Sequence, residues 1–430
     1  MSETELFSKP AVKRVVERHI APNWILLLLI AAIPLQNIYL GKLPSLGSGI
    51  NFLNVSVLLA YLVSRFRSDF APRTSVPINR FIIAYAILYV LSMLWGAVYL
   101  GELGDGHVKD LKDHIIPFVI FFAVLHSVRD RRGVIWTIAA TVIPLPYMFR
   151  VFYSQLGGVA RGHYDDDLRL VAGTFSQLGS NEIAAFYAAY SLVLIGIFVF
   201  VKNVKVRVVL AFMLMLNLYS LLYSYSRGGW LAFLGGGMYF LLHYNKKMLA
   251  VALLGLVLIG GPLLTVMPAS VQERFSTIFV EEGEERDKSA ESRFELWAEA
   301  WDAYKTSPVL GVGYHVFHHV GASGKDTHNY FVKVGTEQGP IGIILLAFIF
   351  WHTLRSSQRL YAVATDPVYK GLAVGMIGCV TALLLANMTG DRFSYYPLIA
   401  YFWVYLALVQ RCLILSKEGA AAPESNTATA

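Results

Sequence analysis

Thr327-His328-Asn329-Tyr330-Phe331-Val332-Lys333-Val334-Gly335-Thr336-Glu337-Gln338-Gly339-Pro340-Ile341-Gly342 sets a histidine, a lysine and a glutamate directly before an apolar run, Ile343 to Trp351. Gly339-Pro340 punctuates the stretch. Proline has no N–H to donate, so Pro340 suits the first turn of a new helix. Residues 328–338 are therefore expected as a short helix at a membrane surface, with a spanning helix beginning at Pro340. Thr327 is the expected N-cap of the short helix, because its hydroxyl can accept from an N–H of the first turn. His328 then falls in that turn, where the positive end of the helix dipole disfavours imidazolium. A neutral imidazole at a water–lipid boundary can act as a base. It can equally be a plain polar residue at a helix end.

The rest of the chain repeats the apolar half of this stretch. Of 430 residues, 56% are hydrophobic, and the mean hydropathy is +0.53. Soluble domains are about 45–50% apolar. Apolar runs recur at about 23–40, 50–64, 81–100, 114–128, 134–153, 181–200, 207–225, 228–244, 248–267, 340–355, 370–388 and 396–414. Most approach the roughly 20 residues that a helix needs to cross a bilayer. The fold class expected is an all-α, polytopic integral membrane protein with about twelve transmembrane helices. The short alternating segments of a transmembrane β-barrel are not seen. The division expected is nine spans in 1–267, a helical loop carrying the candidate site in 268–339, three spans in 340–415 and a disordered tail in 416–430. Cys379 and Cys412 both fall in expected spans and form neither a disulfide framework nor a metal motif.

Basic residues give the orientation. The short loops and tails of one side hold 21 Lys and Arg, and the short loops of the other hold eight. Positive charge stays in the cytoplasm, so both termini are expected there, and His328 faces outward. The same bias accounts for the net charge of +7 without a nucleic-acid partner.

The outward loops hold the residues with chemical content. The long one opens on the acidic run Glu281-Glu282-Gly283-Glu284-Glu285, read as a solvated, mobile face. Ser289 or Ser292 then caps a helix, and Ser292 with Glu295 fits a capping box. Phe294, Trp297, Trp301 and Tyr304 share one face of that helix, either as packing or to contact sugars. Ser307-Pro308 ends it, and Gly311-Val312-Gly313 turns the chain towards His328. Arg227 sits between two spans in Ser226-Arg227-Gly228-Gly229, and a charge at membrane depth costs roughly 2.5–3.5 kcal/mol. Arg293 opens the amphipathic helix, and Arg161 and Arg169 flank His163 and Asp165-Asp166-Asp167. Arginine forks suit phosphate oxygens, so these four are candidates to clamp a pyrophosphate. Each can also be a snorkelling or paired surface arginine. His315, His318 and His319 lack the His-Glu-x-x-His order of a zinc site, and no phosphate-binding glycine loop is present. No metal and no cofactor is expected.

Taken together, Arg293-x3-Trp297, Pro308-Val309-Leu310-Gly311-Val312-Gly313-Tyr314 and Thr327-His328-Asn329 followed by Gly339 resemble the O-antigen ligase and polymerase superfamily of membrane glycosyltransferases. Ser226-Arg227-Gly228-Gly229 and Gly173-Thr174-Phe175-x5-Asn181-Glu182 also look like family positions. The resemblance spans roughly residues 170–345. It implies a GT-C-like, inverting, metal-independent transferase of the bacterial inner membrane, with its site on the periplasmic face. Such an enzyme moves a polysaccharide from undecaprenyl diphosphate to lipid A–core. Wzy-type polymerases and protein O-oligosaccharyltransferases share the plan, and a lipid or polysaccharide transporter is the alternative of another class. The resemblance assigns His328 to the acceptor and Arg227 and Arg293 to the diphosphate. Arg161, Arg169, Asn181, Asn329, Trp297 and Gly339 are the expected substrate-binding positions.

Overall fold

The computed structural model describes residues 22–35, 52–66, 75–101, 105–159, 163–175, 179–276 and 288–421. Arg161 and the acidic run 281–285 lie outside the described residues. Among these residues the regular secondary structure is helical and no strand occurs. In chain order the helices are α1 (Trp24–Ala32), α2 (Phe52–Phe66), α3 (Ile78–Leu100), α4 (Asp105–Ser127), α5 (Arg131–Val142) and α6 (Leu145–Val159). Next come α7 (Ser180–Phe200), α8 (Val204–Leu222), α9 (Arg227–Tyr244), α10 (Lys246–Thr265) and α11 (Ala269–Ser276). The last are α12 (Lys288–Thr306), α13 (Phe317–Val320), α14 (Tyr330–Val363), α15 (Pro367–Met388) and α16 (Tyr396–Ala421).

The described residues of the twelve apolar stretches are largely helical, with 134–153 divided between α5 and α6, and residues 36–40 and 50–51 lie outside the described residues. By length and composition, 7 helical stretches among the described residues can cross a membrane. These are α3, α5 with α6, α7, α8, α14, α15 and α16. Their burial sorts them into centre and periphery. The apolar windows of α7, α15 and α16 are 78%, 78% and 83% buried, against 33% for α3 and α8. The centre is α15, packed on α7, α9 and α14, with α16 set against α4.

Small residues make that centre possible. Apolar tails solvate a leucine as well as a neighbouring helix does, so helices in a membrane associate through close backbone contact. A Cβ on Gly196 of α7 would lie 2.2 Å from the Gly371 carbonyl oxygen of α15. One on Gly236 of α9 would lie 2.7 Å from the Gly378 carbonyl oxygen. Alanine at either position would force helices apart that α15 holds together.

Two boundaries differ from the sequence reading. The serines expected as caps, Ser289 and Ser292, lie inside α12, which already begins at Lys288. A serine costs a helix only a few tenths of a kcal/mol, and Ala290 and Glu291 favour the extra turn. At the other end, α16 continues to Ala421, beyond the expected tail boundary at 416, because Ala420 and Ala421 extend the helix. The end of α12 at Thr306, before Ser307-Pro308, agrees with the sequence reading.

Candidate active site

The Gly339-Pro340 break is present and organises the outward end of the bundle. Gly339 has φ 65° and ψ −167°, a region open essentially to glycine alone, so α14 is two helical segments meeting at a kink. The break frees two carbonyls. Pro340 has no N–H to give Thr336, and Val312 donates to the Thr336 oxygen instead, at 2.8 Å. The Glu337 carbonyl accepts from Gly313 N at 3.0 Å and from Ser92 Oγ at 2.9 Å. The segment after Pro308 is thus threaded between α14 and α3. Gly311 and Gly313 allow it, with φ of 70° and 110°. A Cβ on Gly313 would stand 2.2 Å from the Gly96 Cα of α3. Gly339 is part of this crossing, packed against Val309.

The start of α14 differs from expectation by two residues. Asn329, not Thr327, is the N-cap, and its Oδ1 accepts from Phe331 N at 3.0 Å and Val332 N at 3.2 Å. A capping asparagine is as good as threonine or better. Thr327 braces the approach to the helix, its hydroxyl donating to the Asn329 carbonyl at 2.8 Å. His328 sits between them in the left-handed region, φ 50°, outside the first turn. Such a conformation costs a non-glycine residue about 1–3 kcal/mol and persists where the surroundings impose it. Trp297 supplies part of that constraint, its indole Nε1 donating to the Thr327 carbonyl at 2.9 Å.

His328 opens onto a polar cavity of ≈ 280 Å³. The wall comes from four places in the chain: Asn181 and Glu182 of α7, Ser292 and Arg293 of α12, Asp326 and His328, and residues 389–395 between α15 and α16. That last connection contributes Thr389, Asp391, Arg392, Ser394 and Tyr395. Arg392 is ion-paired with Glu182, and both are buried. Lys333, one turn into α14, reaches Asp391 at 2.8 Å and Asp326 at 3.3 Å. Asn387 caps the connection by accepting from Arg392 N at 3.1 Å and Phe393 N at 3.0 Å.

Electrostatics sets the protonation states. Desolvation by the protein around its ring, then Arg293 and Arg392, holds the His328 imidazole below its ordinary value. It is neutral at pH 7, by neighbouring cations and burial rather than by a place in the helix turn. Burial alone would raise the Asp391 carboxyl, but Lys333 and Ser394 outweigh it and hold it below its usual range. His315, singled out with the other histidines, pairs with Asp110 at 2.9 Å. Among the described residues no three His, Cys, Asp or Glu side chains gather as metal ligands.

The cavity brings together His328, Arg293 and Asn181 of the sequence-predicted residues. Arg227 is next to it. Its neighbour Ser226 donates to Asn181 Oδ1 at 2.7 Å, and Gly228 is packed on Thr389, where a Cβ would lie 2.6 Å from Oγ1. Arg227 opens α9 behind the Ser226 cap. Asn329 is spent on capping. Trp297 lines a different space, an apolar groove of ≈ 400 Å³ between α12 and α14 shared with Trp301, Tyr304, Val332, Pro340 and Ile344. The aromatic face is therefore open rather than core, Trp301 being 60% exposed and Phe294 67%. Arg169 falls on the turn Asp166–Leu170. The turn before it is anchored on α11 by Glu273, which accepts from Tyr164 N at 2.6 Å.

Asp391 and Arg392 were missed. The signal was available: a charged pair in a short link between two apolar runs carries the same cost of depth that singled out Arg227.

The model of the family described as O-antigen ligase matches residues 210–347. These residues hold Arg227, Arg293, Trp297, His328 and the Gly339 kink. An uncharacterised protein of Haemophilus influenzae is 25% identical over 191 residues, 39% of this chain and 48% of that protein. The chain thus matches about half the length of this curated relative.

Proposed function

We propose, from the O-antigen ligase domain that this chain carries at residues 210–347, that the protein is an inverting glycosyltransferase. It joins an undecaprenyl-diphosphate-linked O-antigen polysaccharide to lipid A–core at the periplasmic face of the bacterial inner membrane. In this reading the chain has twelve spans in a GT-C-like arrangement with both termini cytoplasmic, and what supports His328 on the periplasmic face is the bias of Lys and Arg in the short loops, 21 against eight. The observation that carries the reading is the neutral His328 on a polar cavity, beside Arg293 and against the turn that bears Arg227.

The donor needs little activation, because diphosphate is already a good leaving group. The acceptor hydroxyl must lose its proton as its oxygen attacks the anomeric carbon from the face opposite the diphosphate. Neutral His328 takes that proton or orients the hydroxyl; a positioned base contributes about two to four decades of rate. Breaking the anomeric C–O bond leaves negative charge on the diphosphate. Arg227 and Arg293 receive it, each charge-assisted bond being worth roughly 1.5–3 kcal/mol. Arg169 and Arg161 are weaker candidates for the same diphosphate, and Trp297 holds the His328 loop by its bond to Thr327. This chemistry needs no metal.

The test is reconstitution of the purified protein in liposomes with lipid-linked polysaccharide and lipid A–core. The expected product is polymer covalently attached to core. Lengthened lipid-linked polymer would identify a polymerase instead. Movement of unaltered lipid across the bilayer without a covalent product would identify a transporter.

A further inference from the structure

The apolar groove between α12 and α14 has no part in the chemistry described so far. In its ≈ 400 Å³, Trp297, Trp301 and Tyr304 of α12 face Val332, Pro340 and Ile344 of α14. These walls are open to a ligand, Trp301 being 60% exposed and Ile344 53%. The polar groups of Trp297 and Thr336, which also line it, are committed elsewhere. Trp297 Nε1 donates to the Thr327 carbonyl, and the Thr336 hydroxyl donates to the Val332 carbonyl at 2.9 Å. Aromatic rings and aliphatic carbon dominate what remains, with Trp301 stacked on Tyr304 at 5.3 Å. Such a surface gains by covering a hydrocarbon chain, and it offers little to a sugar.

Position selects which chain. Arg293 lines the polar cavity, and residues 293, 297, 300, 301 and 304 share one face of α12. Arg293 and Trp297 are one turn apart, so a lipid whose phosphates meet Arg293 has its tail at the mouth of the groove. With the membrane-crossing segment of α14 beginning at Pro340, the groove lies where headgroups give way to tails, a level that indole and phenol rings favour. A second apolar space, ≈ 270 Å³ between α7, α9 and α10, has Phe233 as its first residue on α9. Arg227 is six residues away, about 9 Å along the helix. A diphosphate is bonded directly to the first isoprene unit, so the nearer groove receives the start of the chain.

We propose that the groove between α12 and α14 binds the diphosphate-proximal isoprene units of the donor's polyisoprenoid carrier. This rests on the transferase reading above, with Arg293 at the diphosphate. The carrier chain then packs against Trp297, the same side chain that holds the His328 loop through Thr327. Gly335 gives the means to test it. It lines the groove, and a Cβ there would meet only Ile343, at 3.7 Å. Leucine at this position fills the groove without displacing backbone, and it favours the helix.

The experiment uses full-length protein in nanodiscs of phosphatidylethanolamine and phosphatidylglycerol. The probes are undecaprenyl diphosphate, an analogue with a single isoprene unit, and undecaprenyl diphosphate carrying a diazirine in a proximal isoprene unit. On the wild type, the photoprobe should attach to residues 297–304 or 332–344, and unlabelled undecaprenyl diphosphate should compete. Gly335→Leu should weaken undecaprenyl diphosphate roughly tenfold, the loss expected when about two methylenes leave the groove. The single-unit analogue should lose less, so the ratio of the two affinities falls. Attachment to residues 233–256 of α9 and α10 overturns the proposal, as does a ratio unchanged in Gly335→Leu. Competition by lipid A but not by undecaprenyl diphosphate also overturns it and assigns the groove to acyl chains of the acceptor. Photolabelling of the wild type needs no variant, so it decides the matter even where Gly335→Leu fails to fold. A groove labelled as expected in a protein that ligates no polymer overturns the ligase reading and leaves the groove standing.

Discussion

His328 does its work through its neighbours. Its imidazole is held below its ordinary value by desolvation and by Arg293 and Arg392, so the neutral form extends to lower pH than for a free histidine. The sign of the pH effect follows. A base must be unprotonated, so the rate with acceptor should stay level from neutral pH down past about 6.5, the ordinary imidazole value, and fall only below it. Arg293→Gln removes one cation, which lets the imidazole pKa rise, and the acid limb should move to higher pH. The pH profile of kcat/KM for the acceptor measures this, and a limb that moves to lower pH or stays in place would argue that Arg293 does not face His328. How much of this was legible beforehand differs by residue. His328 and Arg293 stand out because each falls within a recognisable pattern, the histidine shortly before an apolar run and the arginine at the start of an amphipathic helix. The cause of neutrality was not legible, because Arg392 lies 64 positions from His328 in the sequence and meets it only through the fold. The capping role of Asn329, whose Oδ1 accepts from the first turn of α14, was not read from the sequence, which gave that role to Thr327.

At the scale of elements, the site depends on one break in one helix. Gly339 ends the first segment of α14, Pro340 starts the second, and the carbonyls they release hold the 311–313 segment. Local chemistry decides this break, since proline and glycine act through their own backbones, and so it was read correctly from the sequence. The partners of Asp391 and Arg392 in the connection between α15 and α16 were not, because Lys333 and Glu182 are distant in sequence and meet them only through the fold. Gly339→Ala tests the break. A side chain there meets a glycine-only conformation that costs about 1–3 kcal/mol. Its Cβ would also lie 2.4 Å from the Val309 carbonyl oxygen. The variant should unfold several degrees below wild type in detergent and transfer little polymer, because the Val312 and Gly313 bonds shift with the kink. An unchanged unfolding temperature would show that the crossing tolerates a side chain and that the break is not rigid.

At the scale of the whole molecule, apolar patterning foretold a helical membrane bundle, and the structure adds which helices are central. Hydropathy cannot tell a helix surrounded by protein from one facing lipid, since both are apolar all round. The glycines that mark α15 as the hub became meaningful once α7 and α9 were seen against it. Orientation is the molecular property on which the site depends. Single cysteines at Gly324 and Lys417, in a background lacking Cys379 and Cys412, should react with an impermeant reagent from the periplasm and from the cytoplasm respectively. Labelling of position 417 from outside would invert the topology and move His328 away from the substrates. The central claim, transfer assisted by His328 at the acceptor, has a more direct test: ligation by purified His328→Ala beside wild type, with donor binding measured separately. The account predicts a folded, inserted variant that retains the lipid-linked donor while attaching polymer to core two to four decades more slowly. Ligation by His328→Ala near the wild-type rate would contradict it.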